Sequence, residues 1–360
     1  AGARATFKSY PKEVRETTDL LGASRVKYFF KVALPLASPA IIGGLFLVFM
    51  EVLNDYGAAK YYGINTFTTG IFRTWTALED LQSAIYLSAI LVLLVFLLHK
   101  LTQWYRGRKS FTLNVRASSS PHPKKPLKGR KKVLYLSIVW GTLLFAFILP
   151  VFQLVYWAVL TFDNIFEVHL FSLAMQSLGV AALAALLILI VALFLIYFSR
   201  WNKLKSTRVF SKIATLGYVL PGAIIGIGII RSSQSVIDFA SNTFNLKIGY
   251  LFYGSSAVLI YAYVFRFMAV AYNLIEANSL KIGKNLAESA YVSGAGKFRT
   301  LFSVEMPLLK RVLASAFLLV LIDIMKELPL TLILKPYHLQ TLAVKAYAYA
   351  DDELVAQAAL

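Results

Sequence analysis

The stretches 16–35 (ETTDLLGASRVKYFFKVALP) and 288–307 (ESAYVSGAGKFRTLFSVEMP) decide the fold, because they carry one pattern without a gap. Each begins with Glu, places a Gly after five further residues and a Val after nine more, and closes on Leu or Met followed by Pro. Each then runs directly into a long apolar segment. A polar element repeated in front of repeated hydrophobic segments predicts a duplicated membrane protein with one polar loop in each half.

The repeat extends beyond these two stretches. The same offset of 272 residues aligns further pairs of like residues, namely Thr69 with Thr341, Asp80 with Asp352 and Ala84 with Ala356. We therefore expect the copies to cover about 15–88 and 287–360. Identity between them is sparse, so the copies have kept their spacing more than their side chains.

The composition indicates an integral membrane protein. Hydrophobic residues make up 58% of the chain and the mean hydropathy is +0.65, which exceeds what a soluble domain can bury. A helix needs about 20 apolar residues to cross the ~30 Å hydrocarbon core. Seven segments reach that length and an eighth begins near Glu353; the seven are 36–56, 81–99, 133–160, 172–198, 210–231, 250–275 and 312–334. Because the backbone in lipid must satisfy its own polar groups, we predict an all-α protein.

The chain opens inside the first motif stretch, without an initiator Met or a signal peptide. In the second half, four predicted spans between 133 and 275 precede the motif, whereas no predicted span precedes the first motif. We therefore expect a fragment of a protein of about twelve spans in two pseudo-symmetric halves. Residues 1–99 would be the end of the first half with its loop at 11–35, and 100–132 a basic linker. Residues 133–360 would be the second half, with its loop at 280–310.

The positive charge lies on polar segments that alternate, span by span, onto one side of the membrane: 1–31, 100–132, 199–212 and 276–311. The segment 100–132 alone holds eleven Lys or Arg and no acidic residue. By the positive-inside rule this side is cytoplasmic. The net charge of +19 is therefore topogenic, and we do not expect nucleic-acid binding.

Metal and nucleotide chemistry is not expected in this chain. It has no cysteine, and its four histidines lack the spacing of a metal site. Residues 293–297 (SGAGK) resemble the end of a phosphate-binding loop, but Tyr291 stands where that loop needs Gly and Phe298 where it needs Ser or Thr. We predict that the chain binds no metal or cofactor and that any ATP is bound by a partner.

Both motif stretches resemble the EAA loop of ABC-importer permeases, the membrane subunits of binding-protein-dependent uptake systems. In that family the loop docks into a groove on a separate ATP-binding subunit, a helix-in-groove contact. The resemblance assigns coupling to the ATPase to Glu16, Gly22, Pro35, Glu288, Gly294 and Pro307. The residues themselves predict a helix that ends at a Gly with positive φ, a second helix, and a new helix start at the proline. An ordinary cytoplasmic turn is the alternative.

Further stretches are similar to the fused permeases of ferric-iron importers: 54–57 (NDYG), 66–75 (TFTTGIFRTW), 220–222 (LPG) and 325–329 (MKELP). The resemblance implies a permease of the type I kind in the bacterial cytoplasmic membrane, which forms the pathway by alternating access and has no enzyme activity. It implies a pair of ATP-binding subunits, an extracytoplasmic solute-binding protein and membrane lipid as partners. A permease for another solute such as thiamine, an ion-coupled secondary transporter and a structural or lipid-handling protein are the alternatives.

Four carboxylates lie near the outer ends of the spans that follow the motifs: Glu51, Asp55, Asp323 and Glu327. The repeat pairs the first with the third and the second with the fourth. A charge in a span commonly faces a cavity or a partner. We predict that these side chains line the outer mouth of the pathway, where oxygen donors suit Fe(III). Local pairing, as of Asp323 with Lys326, is the alternative.

Two features of the second half concern packing. The glycines at 222, 226 and 228 have the spacing that lets helices approach closely, so we predict a packing role for them. Arg266 is expected to snorkel from its span toward the cytoplasmic surface.

Overall fold

The computed structural model of the chain describes residues 17–108, 129–165, 169–202, 205–252, 255–280, 282 and 284–359. Every regular element within these ranges is a helix, so the all-α prediction is confirmed there. Helices suit this composition because each satisfies its backbone N–H and C=O groups within its own segment, where lipid offers no partner.

The helices follow one another in three groups. Those of the first repeat copy are α1 Arg25–Tyr28, α2 Leu34–Asn54, α3 Gly57–Tyr61, α4 Phe67–Phe72 and α5 Leu81–Arg108. Those of the middle region are α6 Arg130–Leu143, α7 Leu149–Ile165, α8 His169–Trp201, α9 Lys205–Ala214, α10 Gly222–Phe244, α11 Gly249–Phe252 and α12 Ser256–Ser279. Those of the second copy are α13 Lys284–Val292, α14 Lys297–Thr300, α15 Met306–Met325, α16 Pro329–Leu334, α17 Leu342–Asp351 and α18 Val355–Ala358. Turns of π-helix extend α1, α4, α6 and α14, over Phe29–Ala33, Arg73–Ala77, Leu144–Ile148 and Leu301–Glu305.

Within the described residues, six helices are long and apolar enough to cross a membrane: Val26–Asn54, Leu81–Tyr105, Lys132–Thr161, Leu170–Trp201, Gly222–Phe244 and Ser256–Ser279. Five of them cover predicted spans. The helix Gly222–Phe244 replaces the predicted span over 210–231, which was wrong in its bounds. Leu220 is extended, with ψ +134°, because a residue before proline avoids the helical region, so the long helix begins only after Pro221.

The predicted seventh span, 312–334, is also interrupted. The helix α15 ends at Met325, and α16 begins at Pro329. Pro329 offers no backbone N–H to continue the earlier helix but fits the first turn of a new one. The start of the predicted eighth span near Glu353 holds the short helix α18.

The described residues form two compact units, one within 1–53 and 90–154 and one within 54–89 and 155–360. In the first, α2 buries Ala37 and Met50, and α5 buries Leu91 and Val95. The second is built on α8, α12 and α15, which pack on one another. These units follow packing, and the division into repeat halves at 1–99 and 133–360 remains a prediction.

The core of the second unit includes many small side chains on the three packed helices. The alanines that are 0–1% exposed there are Ala181, Ala184, Ala185, Ala192, Ala262, Ala271 and Ala316. Small residues allow the backbones of neighbouring spans to come close, which strengthens dispersion contacts where lipid supplies no hydrophobic drive. Larger side chains fill the remaining space, among them Tyr263, Ile188 and Leu259, all fully buried.

The repeat keeps its register through the motif but loses it beyond. The helices α4 and α17 begin alike, since Thr66 accepts a hydrogen bond from the Thr69 N–H at 3.2 Å and Thr341 accepts one from the Val344 N–H at 3.4 Å. Both are followed by a glutamate in the left-handed region, Glu79 with φ +52° and Glu353 with φ +62°. The structure therefore pairs Thr66 with Thr341 and Glu79 with Glu353. The predicted pairs Thr69 with Thr341, Asp80 with Asp352 and Ala84 with Ala356 are wrong, because the outer segments differ in length.

Candidate functional site

The two motif loops have the same backbone. Gly22 has φ +71° and Gly294 has φ +81°. In the first loop the Gly22 N–H donates to the Asp19 carbonyl, and the Ala23 N–H to the Thr18 carbonyl, both at 3.1 Å. The second loop repeats these bonds with Tyr291 and Ala290 as acceptors, at 3.0 Å. This pair of bonds is the Schellman ending of a helix, so the predicted helix that ends at a left-handed glycine is confirmed in both copies.

The glycines are required for their backbone angles and not for space. A methyl group added at either position would meet no atom within 4 Å. A side chain at positive φ nevertheless strains the backbone by about 1–2 kcal/mol. Glu288 lies exposed on α13 in front of its glycine, and Glu16 lies outside the described residues. The coupling role of all six motif residues remains a prediction.

The prolines of the motif do not begin new helices, contrary to the prediction. In the first copy the backbone stays helical from Arg25 through the π turn into α2, and the Leu34 N–H donates to the Phe29 carbonyl. The second copy is the same, with the Met306 N–H donating to the Leu301 carbonyl. A proline inside a helix removes one i→i−4 bond. The π turn shifts the hydrogen-bond register just before Pro35 and Pro307, so each loop helix and its span form one rod.

Both loops expose apolar side chains at matching positions. In the first copy Leu20, Val26 and Phe30 are 88, 67 and 61% exposed. Their counterparts at the motif offset, Val292, Phe298 and Phe302, are 89, 67 and 61% exposed. Large apolar groups displayed together on a polar loop are typical of surfaces that bind another protein. We call these two sets the apolar triplets.

The four carboxylates predicted at the outer mouth have different surroundings. Asp323 lies 3.3 Å from the Lys326 ammonium, and Asp55 accepts a hydrogen bond from the Ala58 N–H at 3.1 Å. Glu51 is exposed on α2. Glu327 is only 5% exposed, and its carboxylate lies 3.3 Å from the Arg266 Nε. A pathway role for the four residues remains a prediction.

The ion pair of Arg266 and Glu327 closes a dense junction between helices. Arg266 is 6% exposed and also donates from Nη1 to the Leu220 carbonyl at 3.1 Å, so the prediction that it snorkels to the surface is wrong. Glu327 in addition accepts from the Leu330 N–H at 3.1 Å. A charge buried this deeply is tolerated because the guanidinium meets both a carboxylate and a backbone carbonyl. The junction therefore fixes α12, α16 and the segment before α10 to one another.

Glycines of α10 belong to the same junction. A Cβ on Gly222 would lie 2.4 Å from the Glu327 Oε1, and one on Gly226 would lie 2.8 Å from Ile333. The packing prediction is confirmed for these two. It is wrong for Gly228, where a Cβ would meet nothing within 4 Å. The Gly222 N–H also donates to the Asn54 side-chain oxygen at 2.9 Å.

A cavity of about 890 Å³ opens between α3, α17 and α18 in the second unit. Its charged and phenolic lining residues are Lys60, Tyr61, Tyr62, Lys326, Tyr347, Asp351 and Glu353. Lys60 and Asp351 face each other at 3.9 Å. Burial, followed by the hydrogen bond of 3.2 Å with the Tyr56 hydroxyl, raises the pKa of Tyr347 above its ordinary value, so this phenol is neutral at physiological pH. The described residues hold no cluster of three or more His, Cys, Asp or Glu of the kind that binds a metal.

The helical fold and the duplicated loops agree with the family that the sequence matches. The profile of the family described as "Binding-protein-dependent transport system inner membrane component" matches residues 2–106 and 202–360. The chain belongs to this family. It is therefore an ABC-importer permease, as the motif stretches predicted, and its apolar helices are membrane spans of a multi-pass protein.

Two of three curated relatives of the permease have names that mention iron. The Fe(3+)-transport system permease protein FbpB 2 of Haemophilus influenzae is 24% identical over 357 residues, which cover 98% of this chain and 68% of that protein. The Ferric transport system permease protein FbpB of Actinobacillus pleuropneumoniae is 22% identical over 329 residues, or 86% of this chain and 46% of that protein. The Probable transport system permease protein NifC of Clostridium pasteurianum is 27% identical over 99 residues, or 26% of this chain and 35% of that protein.

Some features of the permease were not found from its sequence. The apolar triplets could have been found, because three apolar positions recur at the motif offset, but only Phe30 and Phe302 are identical. The cavity could not, since its lining comes from segments almost 300 residues apart and carries no motif. The partner of Glu327 likewise lies 61 residues away, on a different helix.

Proposed function

We propose that this permease forms the membrane pathway of an ATP-driven importer for ferric iron in a bacterial cytoplasmic membrane. The observation that carries the proposal is the duplicated loop, in which a left-handed glycine and an apolar triplet recur at identical positions. Two equal loops suit two equal ATP-binding subunits. The names of the two relatives that match most of the chain support ferric iron as the cargo.

The apolar triplets supply the affinity for the ATP-binding subunits in this proposal. Burying a large apolar side chain contributes about 1.5–3 kcal/mol, so three of them on each loop can hold a docked helix against a groove. The Schellman ending fixes the angle between the two helices of each loop. Because each loop helix continues through the π turn into a span, movement of the docked loop is passed on to that span.

The chain itself carries out no covalent chemistry. ATP would be bound and hydrolysed by the partner subunits, and the energy would reach the pathway as a rocking of the spans between outward-facing and inward-facing states. A solute-binding protein on the outer side would capture the cargo with high affinity. The pathway then needs only weak and transient contacts, because a cargo held tightly there would not leave.

The cavity and the four carboxylates are the candidate pathway. Asp351 and Glu353 place carboxylates at the cavity, and Lys60 and Lys326 place cations beside them. Such a mixed lining suits a hard cation that travels with anionic ligands, since each component meets an opposite charge. Tyr347, being neutral, would act as a hydrogen-bonding group and not as a phenolate ligand. The four predicted carboxylates Glu51, Asp55, Asp323 and Glu327 remain candidates for contacts with the cargo in this proposal.

Uptake of radiolabelled ferric iron tests the proposal. The permease is produced with its ATP-binding subunit and binding protein in cells that lack their own iron importer. Gly22→Val and Gly294→Val are expected to abolish uptake while the permease remains in the membrane, because a β-branched side chain resists positive φ. Gly296→Ser is the matched control, since Gly296 has φ −71° in the same loop and the first copy already has Ser24 there.

The outcomes separate cargo from coupling. No iron uptake by the unaltered system would mean that the permease carries another solute, such as thiamine, which the same assay tests with the labelled vitamin. Iron uptake that persists in both glycine variants would mean that the loops do not couple the permease to ATP. Loss of uptake in Gly296→Ser as well would show that the loop tolerates no substitution and that φ is not the cause.

A further inference from the structure

Glu305 is a buried carboxylate at the point where the second loop becomes a span. It is the last residue of the π turn that links α14 to α15, and it is 9% exposed. The Tyr197 hydroxyl donates a hydrogen bond to its Oε2. The same oxygen lies 3.4 Å from the Arg200 Nη1.

Arg200 connects this carboxylate to a third helix. Its Nη2 donates to the Ser279 hydroxyl at 2.6 Å, and that hydroxyl donates to the Glu276 carbonyl at 2.8 Å. Its guanidinium also lies over the Tyr197 ring, 5.5 Å from the centroid. One polar cluster thus joins the last turns of α8 and α12 to the beginning of α15.

An aromatic contact ties the loop helix itself to the same place. Trp201, the last residue of α8, packs edge-on against Phe298 of α14 with ring centroids 5.1 Å apart. The loop is therefore held on both sides of its π turn, by rings before the turn and by an ion pair at its end. We call the set Tyr197, Arg200, Ser279 and Glu305 the loop clamp.

The first loop has no such carboxylate. The motif offset places Ala33 opposite Glu305, and Ala33 is 3% exposed at the end of the corresponding π turn. The two loops share their glycine, their π turn and their apolar triplet, but at this buried position they differ in charge. A buried carboxylate is costly unless it has a polar partner. If this position served only to fill space, an alanine would suffice in the second loop as it does in the first.

We propose that Glu305 is a positioning residue that fixes the second loop to α8 and α12, so that movement of the docked loop reaches these spans without loss. The inference rests on the proposed function, in which the loop is driven by an ATP-binding subunit. A π turn is a natural place for a helix to bend. The clamp holds this turn at one angle, and the second half of the permease is thereby coupled more stiffly than the first.

The test separates coupling from folding. The permease, its ATP-binding subunit and its binding protein are reconstituted in lipid vesicles, and the number of iron ions taken up per ATP hydrolysed is measured. Glu305→Ala, which installs the residue of the first loop, and Glu305→Gln are expected to lower this ratio about fivefold or more while ATP hydrolysis continues. Asp238→Asn, an exposed charge removal on α10, is expected to leave the ratio unchanged.

A second measurement needs no transport. Because the chain has no cysteine, spin labels can be attached to cysteines introduced at the exposed positions Ser293 and Ile190. The distance distribution between them is expected to broaden in Glu305→Ala and in Arg200→Gln, and the double variant should be no broader than either. Asp238→Asn should keep the narrow distribution.

The failures are distinguishable. If the unaltered system transports no iron with ATP, the proposed function is wrong. The spin-label measurement still tests whether Glu305 positions the loop, because it does not depend on transport. If Glu305→Ala keeps both the unaltered ratio and the narrow distribution, the clamp does not position the loop and the inference is wrong. If the variants merely reduce the amount of folded permease, with both readouts unchanged in what remains, Glu305 is a stability residue and the inference is again wrong.

Discussion

Gly222→Ala is expected to destabilise the permease, whereas Gly228→Ala, six residues along the same helix, is expected to be neutral or stabilising. The two substitutions add the same methyl group to α10. A Cβ at Gly222 would lie 2.4 Å from the Glu327 Oε1, 2.9 Å from the Arg266 Nη1 and 3.2 Å from the Leu330 Cβ. A Cβ at Gly228 would meet nothing within 4 Å.

The magnitude follows from these contacts. An alanine in a helix interior is favoured over glycine by about 0.5–1 kcal/mol, which is the gain expected at Gly228. Forcing a methyl group into a filled site costs about 1–3 kcal/mol, which is the loss expected at Gly222. We expect the two variants to differ by about 1.5–4 kcal/mol in the free energy of unfolding. If the methyl group also separates Arg266 from Glu327, the loss lies at the upper end, because a buried charge is left without its partner.

The free energy of unfolding can be measured by titrating the purified permease from mild detergent into SDS and following its helicity. Gly226→Ala is expected to fall between the other two, because the atoms nearest to a Cβ there, at 2.8–3.1 Å, belong to the apolar side chain of Ile333 and not to a charged group. Equal stability of Gly222→Ala and Gly228→Ala would contradict the reasoning, since it would mean that Glu327 and Arg266 are not held against Gly222.

Two further predictions concern the loops and the cavity. The double substitution Phe298→Ser and Phe302→Ser is expected to reduce co-purification of the ATP-binding subunit at least about tenfold, because apolar burial is lost. The control Phe239→Ser, on the exposed side of α10, should leave co-purification unchanged. An equal loss in both variants would indicate misfolding and contradict the prediction. Because the pKa of Tyr347 is raised in the folded protein, the phenol stays protonated at pH values where the unfolded chain ionises it. The free energy of unfolding is therefore unaffected below the ordinary tyrosine pKa of 10 and falls as the pH rises above that pKa. Thermal unfolding near pH 8 and pH 11 should show a smaller loss in Tyr347→Phe than in the unaltered protein, and equal losses would contradict the assignment.

What the sequence predicted correctly was decided by local rules. A glycine with positive φ at a helix end depends on residues within one turn, and the motif stated it twice, at Gly22 and Gly294. The helical class followed from composition, because lipid leaves the backbone no other partner. Both predictions needed no knowledge of which helix packs on which.

What it missed depends on contacts between distant segments. The breaks at Pro221 and after Met325 could not be seen because hydropathy continues across them. The ion pair at these breaks joins Arg266 of α12 to Glu327, which lies between α15 and α16. The wrong equivalence of Asp80 with Asp352 arose because an ungapped offset cannot register a change in segment length. The sequence did not indicate a role for Glu305, because a single acidic residue near a proline matches no motif. Its role depends on the contact with Arg200, which only the fold reveals.

The π turn Arg73–Ala77 gives α4 and its extension one residue more between Thr66 and Glu79 than α17 has between Thr341 and Glu353. A turn of α-helix takes about 3.6 residues, and the wider i→i+5 turn takes about one residue more, so the π turn absorbs the added residue. Side chains before and after it therefore keep equivalent faces in the two copies. A duplicated protein can in this way take up a single insertion in one copy, while the cap before the helix and the glutamate after it stay as they were.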